Sequence, residues 1–561
     1  MKKLMLLLGL CLVVLGALPL TASAVAVEEL TVLSAYFPAD TVMFAALRSD
    51  DGYLETLNSV IARLQQRVDQ PVQTIQDALD ETIGGIGDDA TFAEDVRPWL
   101  GSTIAIGARN LDSRFGPTVV LALAVTDREA AAAFIASRPN VTASEEDGYT
   151  EFTTGAEQAF RLYDQALLFA ERAVMLDEIS EGDRLNSSED FTATLTLLPE
   201  PDYNIVLYVQ SSALFDLLRV QAAVEGADAM TEAMLAQMGS VGSVAVGLAV
   251  LDGRHFTIDA ASRASADTDA AMLPATDAPA VDLSVAGRVP AGAPLVIFAT
   301  DLGRNIRHAI DMLGMALEMG IDQEIAMNTG QDMPPFIANL DVNDVRAFIN
   351  LAFAGFTGLN LENDVLANLN GTTAFFAGWL PDEALDIIPD LGMVTQMDDA
   401  ASANILTSLQ DALTQYEADF SVEGSVLTLP WPLREALRQD FPDADLSNPA
   451  LDMLIGYNGG FFALGTRPAV EFSLNPGGAS LADDAAFVEA QTYFLPDSES
   501  IAYIHLTPIV EFIDDEMNPR ASQSGNDALK VLSLFTSGSI SGRVDDDGTS
   551  YQRLVLTLSA E

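Results

Sequence analysis

The sequence predicts an α+β fold, built as two tandem homologous repeats of mainly antiparallel sheets with helices packed on one face. Three observations carry this expectation. Short apolar runs with a two-residue period alternate with segments of helical period. Strands come as hairpins as well as strand–helix pairs, a mixture that favours antiparallel pairing. The order of elements in residues 31–262 is written again in residues 284–560. An α/β arrangement is the alternative.

The first half opens with "YFPADTVMFAALRSDDGYLETLNSVIARL", a proline turn, an alternating strand, and then Leu54, Leu57, Ile61 and Leu64 at helical spacing. "DVRPWLGSTIAIGARN" predicts a turn into a strand at Thr103 to Ala108. "TVVLALAVTDREAAAAFIA" predicts a buried strand from Val119 to Val125 and a helix capped by Thr126 or Asp127, with Glu129 favourable in its first turn. The second half repeats the order. "RVPAGAPLVIFATDLGRNIRHAIDMLGMAL" gives a strand at Leu295 to Ala299 and a long helix, "VLANLNGTTAFFAGWL" a strand at Thr372 to Trp379, and "LGMVTQMDDAASANILTSLQDAL" a strand and a helix starting near Asp398.

Each half closes alike: a short acidic helix, a Leu-Pro turn, a strand and a helix, around Pro199 and again around Pro496. A hairpin follows, with Asp252-Gly253 and Asp547-Gly548 at the turns. Pro38, Pro199, Pro290 and Pro496 fix φ just before a strand, where the missing N–H costs little. Residues 25–263 are therefore read as the first repeat, 264–283 as an Ala-, Asp- and Pro-rich linker, and 284–561 as the second repeat.

Residues 1–24 read as a secretory signal peptide: Lys2 and Lys3, an apolar run from Leu4 to Leu18, Pro19, and small residues at Ala22 to Ala24. A retained N-terminal anchor is the alternative. Cleavage after Ala24 removes Cys11, the one cysteine, so the exported chain folds without disulfides and lacks thiolate chemistry. No later apolar run is long enough to span a membrane. The net charge of −55 argues against nucleic acid as a partner. It suits solubility, a saline setting or diffuse binding of divalent cations.

Three phrases resemble a bacterial family of exported proteins defined as a domain of unknown function, whose members open on an "LPADT"-like phrase. They are "FPADT" at Phe37 to Thr41, "DVRPWLG" at Asp95 to Gly101, and "SLADDAAF" at Ser480 to Phe487 followed by "LPDSESIAYIHL". The resemblance implies export and carries no catalytic residue. The second half departs from the opening phrase with "VPAGAP" at Val289 to Pro294.

Chemistry-bearing motifs are sparse. His255, His308 and His505 are scattered and form no HExxH pair, so they read as structural. "GGIGDD" at Gly84 to Asp89 lacks dinucleotide spacing, and Asp527 stands where a Ser-x-x-Lys pair with Lys530 needs its serine. Acidic runs at Arg543 to Ser550, Gly87 to Asp89 and Leu340 to Asp344 fall short of a calcium loop. Met312, Met315, Met319, Met327 and Met333 read as helix packing, or else as one wall of an apolar groove. With Trp99, Trp379 and Trp431 as its three tryptophans, the chain offers a reduced case for a sugar-stacking cleft. No catalytic, cofactor or metal residue is assigned. The function expected is a secreted or cell-envelope protein that is not an enzyme and has a binding or structural role toward an unidentified cell-surface or extracellular partner. The alternatives are an exported carrier of a lipid or other apolar ligand, and a hydrolase using paired carboxylates.

Overall fold

A computed structural model describes residues 24–55, 58, 91–109, 117–138, 140–154, 158–180, 182–215, 241–251, 254–264, 278–326, 342–379, 389–430, 447–517 and 530–559. Residues 1–23, most of the linker-like stretch (265–277), the Asp252-Gly253 turn, Leu57, Ile61 and Leu64, Trp431, Met327, Met333, the 84–89 run and residues 340–341 lie outside the described residues.

The first half contributes β1 (Val25–Ala26), β2 (Met43–Arg48), β3 (Leu100–Arg109), β4 (Thr118–Val125), β5 (Val141–Glu146), β6 (Tyr149–Thr154), β7 (Ala159–Leu162), β8 (Ala166–Ala170), β9 (Asp202–Tyr203), β10 (Ile205–Val209), β11 (Val241–Val250) and β12 (His255–Ala264). The second contributes β13 (Leu295–Thr300), β14 (Thr372–Trp379), β15 (Pro389–Gln396), β16 (Ser421–Glu423), β17 (Val426–Leu429), β18 (Met453–Asn458), β19 (Phe461–Thr466), β20 (Ser500–His505), β21 (Phe535–Val544) and β22 (Ser550–Leu558). Apart from the β1–β9 ribbon, these strands form one sheet in which every pairing is antiparallel.

From one edge the order is β5-β6-β7-β8-β4-β3-β2-β10-β11-β12, and then β22-β21-β20-β13-β14-β15-β19-β18-β17-β16. Read inward from either edge, the two halves pair their strands in the same succession. They meet where β12 pairs with β22, from His255↔Thr557 to Ser262↔Ser550. The predicted α+β class holds, and the sheet runs unbroken from one half into the other.

Helices cover both faces, not one. On the first face α1 (Val27–Leu30), α3 (Ala173–Ser180) and α4 (Glu189–Leu195) pack over the first half, and α8 (Arg467–Leu474) and α9 (Ala485–Gln491) over the second. On the opposite face α2 (Arg128–Ala136) covers Leu162 and Leu167, and α7 (Asp399–Gln415) covers Leu427 and Ile455. The physical reason lies in the strands themselves. Consecutive residues such as Leu454 and Ile455 belong to cores on opposite faces, so an apolar run needs cover on each side. The helices α5 (Leu302–Ala326), α6 (Val342–Thr357) and α10 (Leu506–Met517) complete the second half.

Both first-face cores are aromatic. Phe191 of α4 meets Tyr208 of β10 edge-on at 5.0 Å, and Phe487 of α9 meets Tyr503 of β20 edge-on at 5.1 Å. Each such buried ring contributes about 1.5–3 kcal/mol by leaving water. Local caps follow the sequence. Asp127 accepts from the Ala130 N–H, Asp398 from Ala400, and Ser480 with Asp483 forms a capping box just ahead of α9.

Candidate functional site

The polar clusters are turned inward. Asp259 on β12 lies opposite Arg553 on β22 and receives hydrogen bonds from its Nε at 2.6 Å and Nη2 at 2.9 Å. Tyr203 Oη donates to the same carboxylate at 2.8 Å, and Arg553 Nη2 also donates to Glu200 at 2.6 Å. Burial alone pushes the Arg553 pKa down. The hydrogen bonds and charge of Asp259, with those of Glu200, outweigh it and hold the guanidinium above its ordinary range. In the first half, Asp190 accepts from Tyr208 Oη at 2.6 Å and from Ser243 Oγ. Burial, and then the bond to Asp190, drives the Tyr208 pKa upward, so this phenol stays protonated.

The structure brings two of the three predicted histidines to α9. His255 is buried, stacks on Tyr493 at 4.0 Å and places Nε2 3.2 Å from Glu489 Oε1, beside Arg254. His505 Nδ1 lies 3.9 Å from Asp484, the cap of α9. They sit in one row, His255–Thr557–Ser537–His505, with two strands between them. His308 lies apart on α5. Among the described residues no group of three His, Cys, Asp or Glu side chains converges as a metal site.

The Asp545 to Thr549 run forms the β21–β22 turn. The Asp545 N–H donates to Thr549 O, and Asp547 Oδ1 accepts from the Thr549 N–H at 3.0 Å. The side-chain and backbone hydrogen bonds of Thr549 hold Asp547 below the usual carboxylate range. Trp99 is buried with its indole N–H on Asp95 O, and Trp379 meets Phe512 edge-on at 5.2 Å. Met312, Met315 and Met319 all fall on α5.

The feature that sequence reasoning missed is an open apolar groove of about 420 Å³ on the opposite face of the second half. Its walls are Leu295 and Ile297 of β13, Phe375 of β14, Leu391 and Met393 of β15 and Leu464 of β19. Pairings Ile297↔Phe375, Phe375↔Met393 and Met393↔Leu464 set four of these side chains in one row, and Leu295↔Ala377 with Ala377↔Leu391 sets the other two beside it. The row continues through Ala502 and Ile540 to Leu554. Ile297 is 42% exposed and Leu391 41%, large values for aliphatic residues in the middle of a sheet. Gly392 and Gly465, paired across β15 and β19, form part of the floor where neither has room for a Cβ, the one at Gly392 meeting the Phe376 ring. Gly465 has φ +156°, and a Cβ there would strike the Leu391 carbonyl. The available signal was local: the alternate residues of "PLVIFAT" are apolar on both faces.

Among the described residues no helix is long and apolar enough to cross a membrane. Among solved structures, crystal form III of TP0453 is similar to this chain at 9% identity, covering 42% of this chain and 80% of that one with a TM-score of 0.23. Crystal form I of TP0453 gives the same identity and TM-score over 42% and 79%. Overlaps this slight carry no inference. No curated protein matches the sequence. The family model for a protein of unknown function, DUF3352, matches residues 3–426, and the chain belongs to that family.

Proposed function

We propose that this is an exported, non-enzymatic binding protein that holds an apolar ligand in the groove lined by Leu295, Ile297, Phe375 and Leu391. The observation that carries the reading is the cluster of apolar side chains left in contact with water in the middle of the sheet. Exposed apolar surface in a recess is stabilised by an apolar occupant at roughly 25 cal/mol per Å² removed from water. The absence of enzymatic activity is supported by the inward engagement of Asp190, Asp259, Tyr203 and Arg553 with one another and with their neighbours. Export, with cleavage after Ala24, is supported by the signal-like residues 1–24 and is tested by the N-terminal mass of the protein from its host's extracytoplasmic fraction. The matching strand succession of the two halves supports their reading as a tandem duplication, which superposition of residues 31–262 on 284–560 tests.

The groove is tested with a neutral fluorescent naphthylamine probe titrated into the full chain. We expect saturable binding that Phe375→Gln and Ile297→Asn each weaken while the melting temperature holds. A probe that fails to bind, or binds these variants equally well, removes the groove as the site.

A further inference from the structure

A second apolar surface lies on α6, none of whose residues lines the groove. Its outward face presents Asp344, Ala347, Phe348, Leu351 and Gly355 at helical spacing, and Phe356 flanks it. Phe348 is 71% exposed, Leu351 73% and Phe356 69%. The inner face is already engaged: Val345 is buried, and Phe353, partly buried, packs against the cluster that holds Ile405 and Leu406 of α7. The helix is therefore apolar on both sides, which exceeds what its own fold requires. Tyr416, at the end of α7, donates to Gly355 O at 3.2 Å and extends the exposed surface past Phe356.

The two ends of this surface carry the same charge. Asp344 stands exposed one turn before Phe348, and Glu417 and Asp419 are exposed just beyond Tyr416. Arg346, the cation of α6, points inward to Asp311 and Glu362. From Asp344 to Phe356 the helix rises about 18 Å. A second copy of this chain is a poor occupant, since an antiparallel α6–α6 pairing sets Asp344 of one copy against the acidic end of the other. Anionic lipid is repelled for the same reason, at a net charge of −55.

We propose that the outer face of α6 docks a basic amphipathic polypeptide segment, whose apolar side covers Phe348, Leu351 and Phe356 and whose Lys or Arg residues meet Asp344 at one end and Glu417 and Asp419 at the other. This is helix-face recognition with the anchors supplied by the apolar stripe and the orientation by the carboxylates.

The test is calorimetric titration of the full chain with a synthetic Leu/Lys amphipathic helix, its Leu/Glu counterpart and neutral phosphatidylcholine vesicles. The Leu/Lys peptide is expected to bind one-to-one and more weakly as salt rises. Leu351→Gln, which leaves net charge unchanged, is expected to weaken it about tenfold or more, the loss of one buried leucine contact. Asp344→Asn with Glu417→Gln is expected to flatten the salt dependence, and Phe375→Gln in the groove to leave binding intact. Equal binding of the Leu/Glu peptide overturns the proposal. So does indifference to Leu351→Gln, which reduces the effect to diffuse attraction by an acidic surface. Vesicle binding or self-association abolished by Leu351→Gln, with the Leu/Lys peptide unbound, assigns the face to lipid or to a second copy instead.

Discussion

Arg553 reaches Asp259 at 2.6 Å across the β12–β22 pairing that joins the two halves of the sheet, between residues 294 positions apart in the chain. The Asp259 side chain has no exposed surface, so its charge is balanced wholly by its partners. Arg553→Met leaves that carboxylate buried without its cation, a loss of about 3–5 kcal/mol. Replacing both, Arg553→Met with Asp259→Leu, is expected to recover much of it. Urea unfolding of the two variants checks this, and a double variant no more stable than the single one contradicts it.

Asp390 titrates in the opposite sense from a paired surface carboxylate. Burial raises its pKa, and the hydrogen bonds from Thr466 and the Ala469 N–H only partly offset that. The unfolded chain releases this proton near 3.8, the folded chain at higher pH. Folding therefore takes up a proton in that window. The contribution of Asp390 favours the fold at the acidic end and is lost as pH rises through the folded value. Asp390→Asn is expected to be closer to wild type in stability below pH 3.8 and more stable than wild type at pH 7, as measured by denaturation across pH. A difference independent of pH rejects this account.

The helix caps offer a local check. Asp127→Ala removes the acceptor for the Ala130 N–H at the start of α2, and Asp398→Ala the one for Ala400 at the start of α7. Each is expected to cost about 1 kcal/mol, and the serine replacements to restore most of it. Thermal unfolding of the four variants measures the effect.

Gly465→Ala tests the floor of the groove. The added methyl meets the Leu391 carbonyl and the Gly392 Cα of the neighbouring strand, backbone that cannot turn aside as a side chain could. An overpacking cost of about 1–3 kcal/mol is expected, together with weaker binding of the apolar probe. Ala at Gly424, which has φ +60° at an open turn, is expected to destabilise without touching the probe.

Much of the architecture was legible because its signals are local. β14 spans Thr372 to Trp379 as the apolar pattern predicts, α2 starts after Asp127, and α7 starts after Asp398. The family-like phrases also have local causes. In "FPADT" Thr41 Oγ1 donates to Pro38 O, Asp40 pairs with Arg109, and Phe37 is buried. In "SLADDAAF" Ser480 and Asp483 cap one turn and Asp484 caps the next. Helix placement on both faces was not legible. A run such as "MLIGYN" fits a strand covered on one side or two, and its neighbours in space decide which.

The sequence by itself determined the alternation of strand and helix, the caps and turns, the matching order of elements in the two halves and the acidic surface, because each depends on residues a few positions apart. Only the tertiary structure decided that β12 meets β22, that Asp259 finds Arg553, that His255 and His505 both face α9, and that Ile297, Phe375 and Leu391 remain open to water while Phe298, Phe376 and Val394 on the other face of the same strands are covered. Those outcomes depend on which distant strand wins the pairing and which helix comes to rest over it. Apolar side chains on a strand look alike in sequence whether or not a helix arrives to cover them.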